Sequence, residues 1–211
     1  MATTWETFLS QIRSYLKDNN STTPKYSDDL ILLYTQDAVR DYSQWFPLVK
    51  RAEVQNSGGS YPLPADLIDV RAVECPEESY LARRMVRPGR RYKMVHVPTH
   101  YWVAADGLYL NSETADPIYL TYASVHDVPA AVGVPFTFTV PTRDMDLLNL
   151  YVRAQCLGQT RSRQANLDRF KRTGRRDDNP MLVETNTLMD EYYAKVAERV
   201  GGKVIYLNEA K

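Results

Sequence analysis

The hydrophobic period of this chain switches twice, from helical to strand-like and back, and that switch limits what it can fold into. Residues 3–46 repeat apolar positions at helical spacing. Residues 50–140 run in short strand-like pieces broken by prolines, and residues 142–200 return to the helical period. A helix-period pattern does not sit stably as a strand, nor the reverse. The order therefore predicts a helical unit with a β-module spliced into its middle. At 211 residues, 44% hydrophobic and 25% charged, the chain can bury a real core as one domain, or as one domain with an insert.

Four helices are predicted. The first runs from about Thr4 to Lys17, with Thr3 and Glu6 as a capping box and Trp5, Phe8, Leu9, Ile12 and Leu16 on one face. Residues 18–24, ending in Pro24, break it. The second starts after Ser27, an N-cap, with Asp28 and Asp29 in the first turn, and stops at Pro47. The third follows Pro141-Thr142, with Asp144 and Asp146 in its first turn, and the fourth covers about Leu182 to Val200. A compact bundle buries four such stripes. Between the second and third helices, strands are predicted at Leu67–Val73, Tyr92–Val97, Tyr101–Ala104, Leu108–Leu110, Ile118–Ala123 and Phe136–Val140. Ala105-Asp106-Gly107 is a turn signal, and Glu77–Val86 is read as a helical turn. The predicted class is thus α+β: a four-helix bundle (1–48 and 142–200), a small antiparallel β-module inserted between helices 2 and 3 (49–141), and an extended C-terminal tail (201–211).

The tail reads as a docking segment. Gly201-Gly202 would end the fourth helix, and Lys203, Val204, Ile205, Tyr206 and Leu207 form a strand-prone, largely apolar run. Such a run can add a strand to a partner's sheet edge, or fold back on its own β-module.

Charge and composition exclude several classes. Formal net charge is zero, so no whole-chain attraction to nucleic acid or to an anionic membrane is expected. No stretch is long and apolar enough to span a bilayer, and the N-terminus lacks a signal peptide's pattern, which places the expected site of synthesis in the cytosol. Cys75 and Cys156 lie far apart and read as buried free thiols. Tyr is abundant at 15 against Phe at 5, a bias that suits either interfaces or the rim of the β-module.

No phosphate loop, nucleophile elbow or zincin motif is present, so the chain is read as a non-enzyme without a cofactor. His96 and His100 stand four apart, with Asp106 and His126 beyond. On a strand that spacing separates them by roughly 13 Å, so surface or interface histidines are the preferred reading and a metal there stays open. Two basic clusters stand out. One is Arg83, Arg84, Arg87, Arg90, Arg91 and Lys93. The other is Arg161, Arg163, Arg169, Lys171, Arg172, Arg175 and Arg176, read as a loop or frayed helix between helices 3 and 4. Each could meet DNA phosphates, acidic patches of a neighbouring subunit, or solvent alone.

Three segments together carry a family likeness. They are Trp5-x-x-Phe8-Leu9-x-x-Ile12-Arg13-x-x-Leu16-x-Asp18, Tyr26-Ser27-Asp28-Asp29-Leu30-x-x-x-Tyr34-x-x-x-Ala38, and Tyr61-x-Leu63-Pro64-Ala65-Asp66. The pattern resembles the head–tail adaptor (connector) proteins of tailed bacteriophages, across nearly the whole chain. The long arginine loop at 161–176 has no counterpart in that pattern. The resemblance implies a virion structural protein made in the host cytoplasm. It would form a ring, usually of twelve subunits, docked on the portal in the neck. Its channel would pass double-stranded DNA, its lower face would receive a tail or nozzle protein, and no membrane would be involved. The alternative expectation is a DNA-binding regulatory or packaging-associated protein that uses the arginine clusters.

Overall fold

A computed structural model describes residues 2–20, 23–84, 98–105, 107–112, 114, 116–163 and 180–201, without the side chains of 160–163 and 180–183. The chain divides into two compact units, Met1–Phe46 with His126–Lys211, and Pro47–Val125.

In the first unit, α1 spans Trp5–Tyr15, α2 Asp28–Trp45, α3 Met145–Arg163 and α4 Pro180–Arg199. Ser27 caps α2 as expected, accepting from the Leu30 amide at 3.3 Å. The cap of α1 is Thr4, one residue later than the sequence suggested. Thr3 is unavailable because its carbonyl accepts the Phe138 amide at 3.0 Å, while the first helical bond, from the Phe8 amide, goes to the Thr4 carbonyl. A 3₁₀ turn, Thr142–Asp144, leads into α3.

The predicted four-helix bundle does not form. Helix packing centres on α3, which lies against α4 and α2 and more lightly against α1. At 11 residues, α1 is only about 16 Å long and cannot line a bundle built from helices of 18 to 20 residues. An extended segment completes the core instead. Residues 126–141 run through this unit, and Phe136–Val140 belongs here rather than to a sheet. Only one β-bridge, Thr4↔Thr137, is made there, flanked by the Trp5 amide donating to the Phe136 carbonyl at 3.0 Å. Phe138 meets Phe8 edge-on with ring centroids 5.2 Å apart, and Phe136 meets Phe138 in the same way at 5.1 Å. Burial of that apolar alternation against α1 overrides its strand pattern.

Among the described residues the second unit holds two three-stranded sheets. In the first, β6 (Ile118–Ser124) lies between β1 (Leu48–Val54) and β2 (Leu67–Glu74), both antiparallel to it. In the second, β4 (His100–Ala104) pairs antiparallel with β5 (Gly107–Leu110) and parallel with β3 (Ala82–Arg83). The β-module is therefore mixed, not antiparallel throughout. Glu77–Val86 is not a helical turn over its described part: Tyr80 bridges Glu74, the Leu81 amide donates to the Val73 carbonyl at 2.8 Å, and β3 follows. The predicted strand Tyr92–Val97 lies outside the described residues.

Val70, Val73, Leu81, Tyr101, Leu108, Ile118, Leu120 and Tyr122 form the core of this unit. Gly107 is required by close approach. A Cβ there would stand 3.0 Å from the Tyr61 carbonyl, on the segment that exchanges backbone hydrogen bonds of 2.8 and 2.9 Å with Leu108.

Candidate functional site

The charged centre of the helical unit sits where the last turn of α4 meets the turn before α3. Asp144 is buried, at 4% exposure. Its Oδ2 accepts from the Tyr42 hydroxyl of α2 at 2.7 Å, and its Oδ1 accepts from Arg199 Nη1 at 2.9 Å. The other arm of Arg199 grips both oxygens of Asp146, at 2.9 and 3.0 Å. Lys195 reaches Asp146 at 3.5 Å and Glu191 at 2.9 Å. Burial, then the hydrogen bond to Asp144, drives the Tyr42 phenol far above its ordinary range. Phe46, Arg143, Asp144 and Arg199 line an open cleft of about 450 Å³. Both aspartates face a guanidinium, so neither is a free base or a free metal ligand. The arrangement is a clamp, and it holds the root of the C-terminal tail. One residue after Val200, Gly201 turns left-handed at φ +80°, and its amide donates to the Glu198 carbonyl at 3.1 Å.

A second network joins the polar residues of the family-like pattern. Arg13 of α1 donates to Asp18 at 3.0 Å, to the Tyr26 carbonyl at 3.2 Å, and to Asp28 in the first turn of α2. Asp18 is itself buried and accepts the backbone amides of Lys25 and Tyr26 at 2.8 and 3.0 Å. A guanidinium holds its donors in a rigid planar fork, so it fixes the directions of these acceptors where a lysine's rotatable ammonium does not. Arg13 thereby sets the angle at which the chain enters α2. In the β unit, the turn Leu63-Pro64-Ala65-Asp66 has a parallel role. Asp66 accepts from Lys50 of β1 at 2.9 Å and from Ser124 of β6 at 2.7 Å. The hydrogen bond from Lys50, then that from Ser124, holds the Asp66 carboxyl below its ordinary value of 3.8.

His126, in the helical unit, is structural in its contacts. Its Nε2 lies 3.0 Å from the Phe46 carbonyl, which can only accept, so Nε2 donates. Its Nδ1 lies 3.0 Å from the Thr139 hydroxyl. His100 Nδ1 is 2.7 Å from Thr99 Oγ1, and His96 and Asp106 lie outside the described residues. No cluster of three or more His, Cys, Asp or Glu is arranged to hold a metal among the described residues.

The predicted site residues are only partly on view. The tail residues Lys203, Val204, Ile205, Tyr206 and Leu207 lie outside the described residues. So do Arg169, Lys171, Arg172, Arg175 and Arg176 of the second basic cluster, and Arg87, Arg90, Arg91 and Lys93 of the first. Arg161 and Arg163 sit on the final turn of α3. Arg83 pairs with Asp69 at 3.3 Å, and Arg84 is exposed, its amide donating to the Tyr101 carbonyl at 2.9 Å. Cys75 and Cys156 are buried, and neither is in a disulfide. The tyrosines divide: Tyr26, Tyr42, Tyr61, Tyr101, Tyr122 and Tyr192 are buried, while Tyr15, Tyr80 and Tyr193 are exposed.

Sequence reasoning missed the Asp144–Arg199–Asp146 clamp, placing both aspartates only in the first turn of the third helix. The signal available to it was a basic residue closing α4 ahead of glycine.

No known family and no curated protein matches this sequence.

Proposed function

We propose that this chain is a head–tail adaptor of a tailed-phage neck. Copies of it form a ring on the portal, leave a channel for the genome, and receive a tail or nozzle protein below. The protein acts as a virion part with no catalytic step. The observation that carries this reading is the clamped root of the tail. Arg199, held by Asp144 and Asp146, fixes the last turn of α4. The left-handed Gly201 closes α4 at a defined point, and the sequence beyond it holds the apolar run Val204-Ile205-Tyr206-Leu207. A segment that starts from a rigid anchor loses less entropy on docking than one on a loose end.

The likeness of the Arg13, Asp28 and Asp66 segments to the adaptor pattern supports the same reading. Each of those residues has a structural task, ordering the α1–α2 corner or the entry to the first sheet. The basic cluster at 169–176 is proposed to face a neighbouring subunit or the channel.

Deletion of residues 203–211 tests the proposal. The truncated chain should melt within a degree or so of the full chain and lose attachment to the portal protein of its own phage. Unchanged portal binding, or a melting temperature several degrees lower, contradicts the tail's role. Retardation of duplex DNA by a monomer, at physiological salt, would favour the DNA-binding alternative.

A further inference from the structure

Among the described residues, the only buried side-chain polar atom without a partner is Nε of Arg153, on α3. The Arg153 guanidinium carbon lies 5.0 Å over the ring of Tyr15, which is 58% exposed at the end of α1. No carboxylate among the described residues pairs with it. Arg13, two residues before Tyr15, is by contrast saturated by Asp18 and Asp28. A guanidinium stays charged, and the two terminal nitrogens of Arg153 are not among the buried unpartnered atoms, which leaves them open to an anion from outside. Arg stacked on an exposed Tyr is the composition of an interface anchor rather than of a phosphate-tracking patch, which gathers several free cations.

An anion of the matching kind stands elsewhere on the same unit. Asp190 of α4 is exposed and makes no ion pair or side-chain hydrogen bond among the described residues. Tyr193 and Ala194 follow at the third and fourth positions, so the three share one helix face. Both are exposed, Tyr193 at 47%. Tyr193 packs edge-on against Tyr192 at 5.1 Å, and Tyr192 packs edge-on against Tyr151 of α3 at 5.5 Å. Tyr151 and Arg153 are two positions apart on α3, about 200° of helical rotation. The tyrosine-and-acid patch and the arginine patch therefore lie on opposite sides of α3 and cannot meet within one copy.

We infer that Arg153 and Tyr15 of one copy receive Asp190 and Tyr193 of the next. Two different patches in contact make a head-to-tail interface, the kind whose repetition closes a ring when the rotation between copies divides a full turn. This inference rests on the ring reading above and names the surfaces that mate.

Charge exchange tests it. Arg153→Asp and Asp190→Arg are made singly and together in the full chain, and association is followed by native mass spectrometry. Each single change should weaken association about tenfold or more, and the double change should recover most of it. As a monomer, Arg153→Met should melt no lower than the unmodified chain, because it removes an unpaired buried group. Three results overturn the contact while leaving the ring standing. They are single variants that assemble normally, a double variant as impaired as the singles, or an Arg153→Met monomer that melts several degrees lower. Loss of duplex DNA retention with assembly intact would make the anion a phosphate and also overturn it. An unmodified chain that stays monomeric, alone and with portal, removes the ring reading and this contact together.

Discussion

Arg199 Nη1 donates to Asp144 Oδ1 at 2.9 Å, joining the last turn of α4 to the turn that opens α3. Because Asp144 is 4% exposed and also accepts from Tyr42, its replacement by Ala strands two donors. Asp144→Ala should cost about 2–3 kcal/mol. In a chain of this size that lowers the melting temperature by roughly 4–12 °C. Tyr42→Phe removes only one of those bonds and should cost about 1 kcal/mol. Equal losses for the two variants, measured by thermal or denaturant unfolding, would contradict a network centred on Asp144.

Phe138→Ala tests the placement of the 126–141 segment. Phe138 is 4% exposed and packs edge-on to both Phe8 and Phe136. Its truncation should cost about 3–5 kcal/mol, the usual range for a buried phenylalanine. Proton exchange at the amides of α1 should quicken, since the Phe138 and Trp5 amides tie the two segments together. Slow, unchanged exchange in α1 would argue that the segment packs elsewhere.

Alkaline pH should destabilise the helical unit. Burial, then hydrogen bonds to Asp144 and Asp41, raises the phenols of Tyr42 and Tyr192 well above their ordinary value of 10.0. A folded pKa above the unfolded one gives stability that is complete below the unfolded value and lost as pH rises past it. Unfolding free energy should therefore decline from about pH 10 upward. In a spectrophotometric titration Tyr42 and Tyr192 should ionise only as the chain unfolds. Ionisation of all tyrosines in one step, with the fold intact, would contradict this.

Asp66 acts in the opposite direction. Its folded pKa lies below 3.8, through Lys50 first and Ser124 second. The stability it contributes is present above that value and lost as pH falls through the lowered folded value. Asp66→Asn should therefore flatten the acid limb of the stability profile below about pH 4. An unchanged acid limb would show that Asp66 is not a source of the acid sensitivity.

Neither thiol should react in the folded protein. Burial pushes Cys156 up to about 12, and Cys75 is likewise raised by burial. Thiolate is the reactive form, so a disulfide reagent should modify both cysteines only after denaturation. Rapid modification of Cys156 in the native state would place it outside the core.

The helix stripes and the Ser27 cap were legible because they depend on neighbours within a few residues. The same local reading failed where distant partners decide. Phe136–Val140 alternates like a strand but finds α1 rather than a sheet. β1 was missed because Lys50 sits on its less exposed side, a position that makes sense only once Asp66, 16 residues on, is opposite it. Asp144 looks like any first-turn acid, and its burial depends on Tyr42, 102 residues earlier, and Arg199, 55 residues later. The four-helix bundle was inferred from the number of stripes, which says nothing of the short α1 or of the extended segment that takes its share of the core.

Imaging of the chain mixed with the portal protein of its own phage tests the central proposal most directly. The account predicts a symmetric ring of about twelve copies seated on the portal, with an open axial channel, lost when residues 203–211 are removed. A chain that stays monomeric or dimeric beside a bare portal would contradict it.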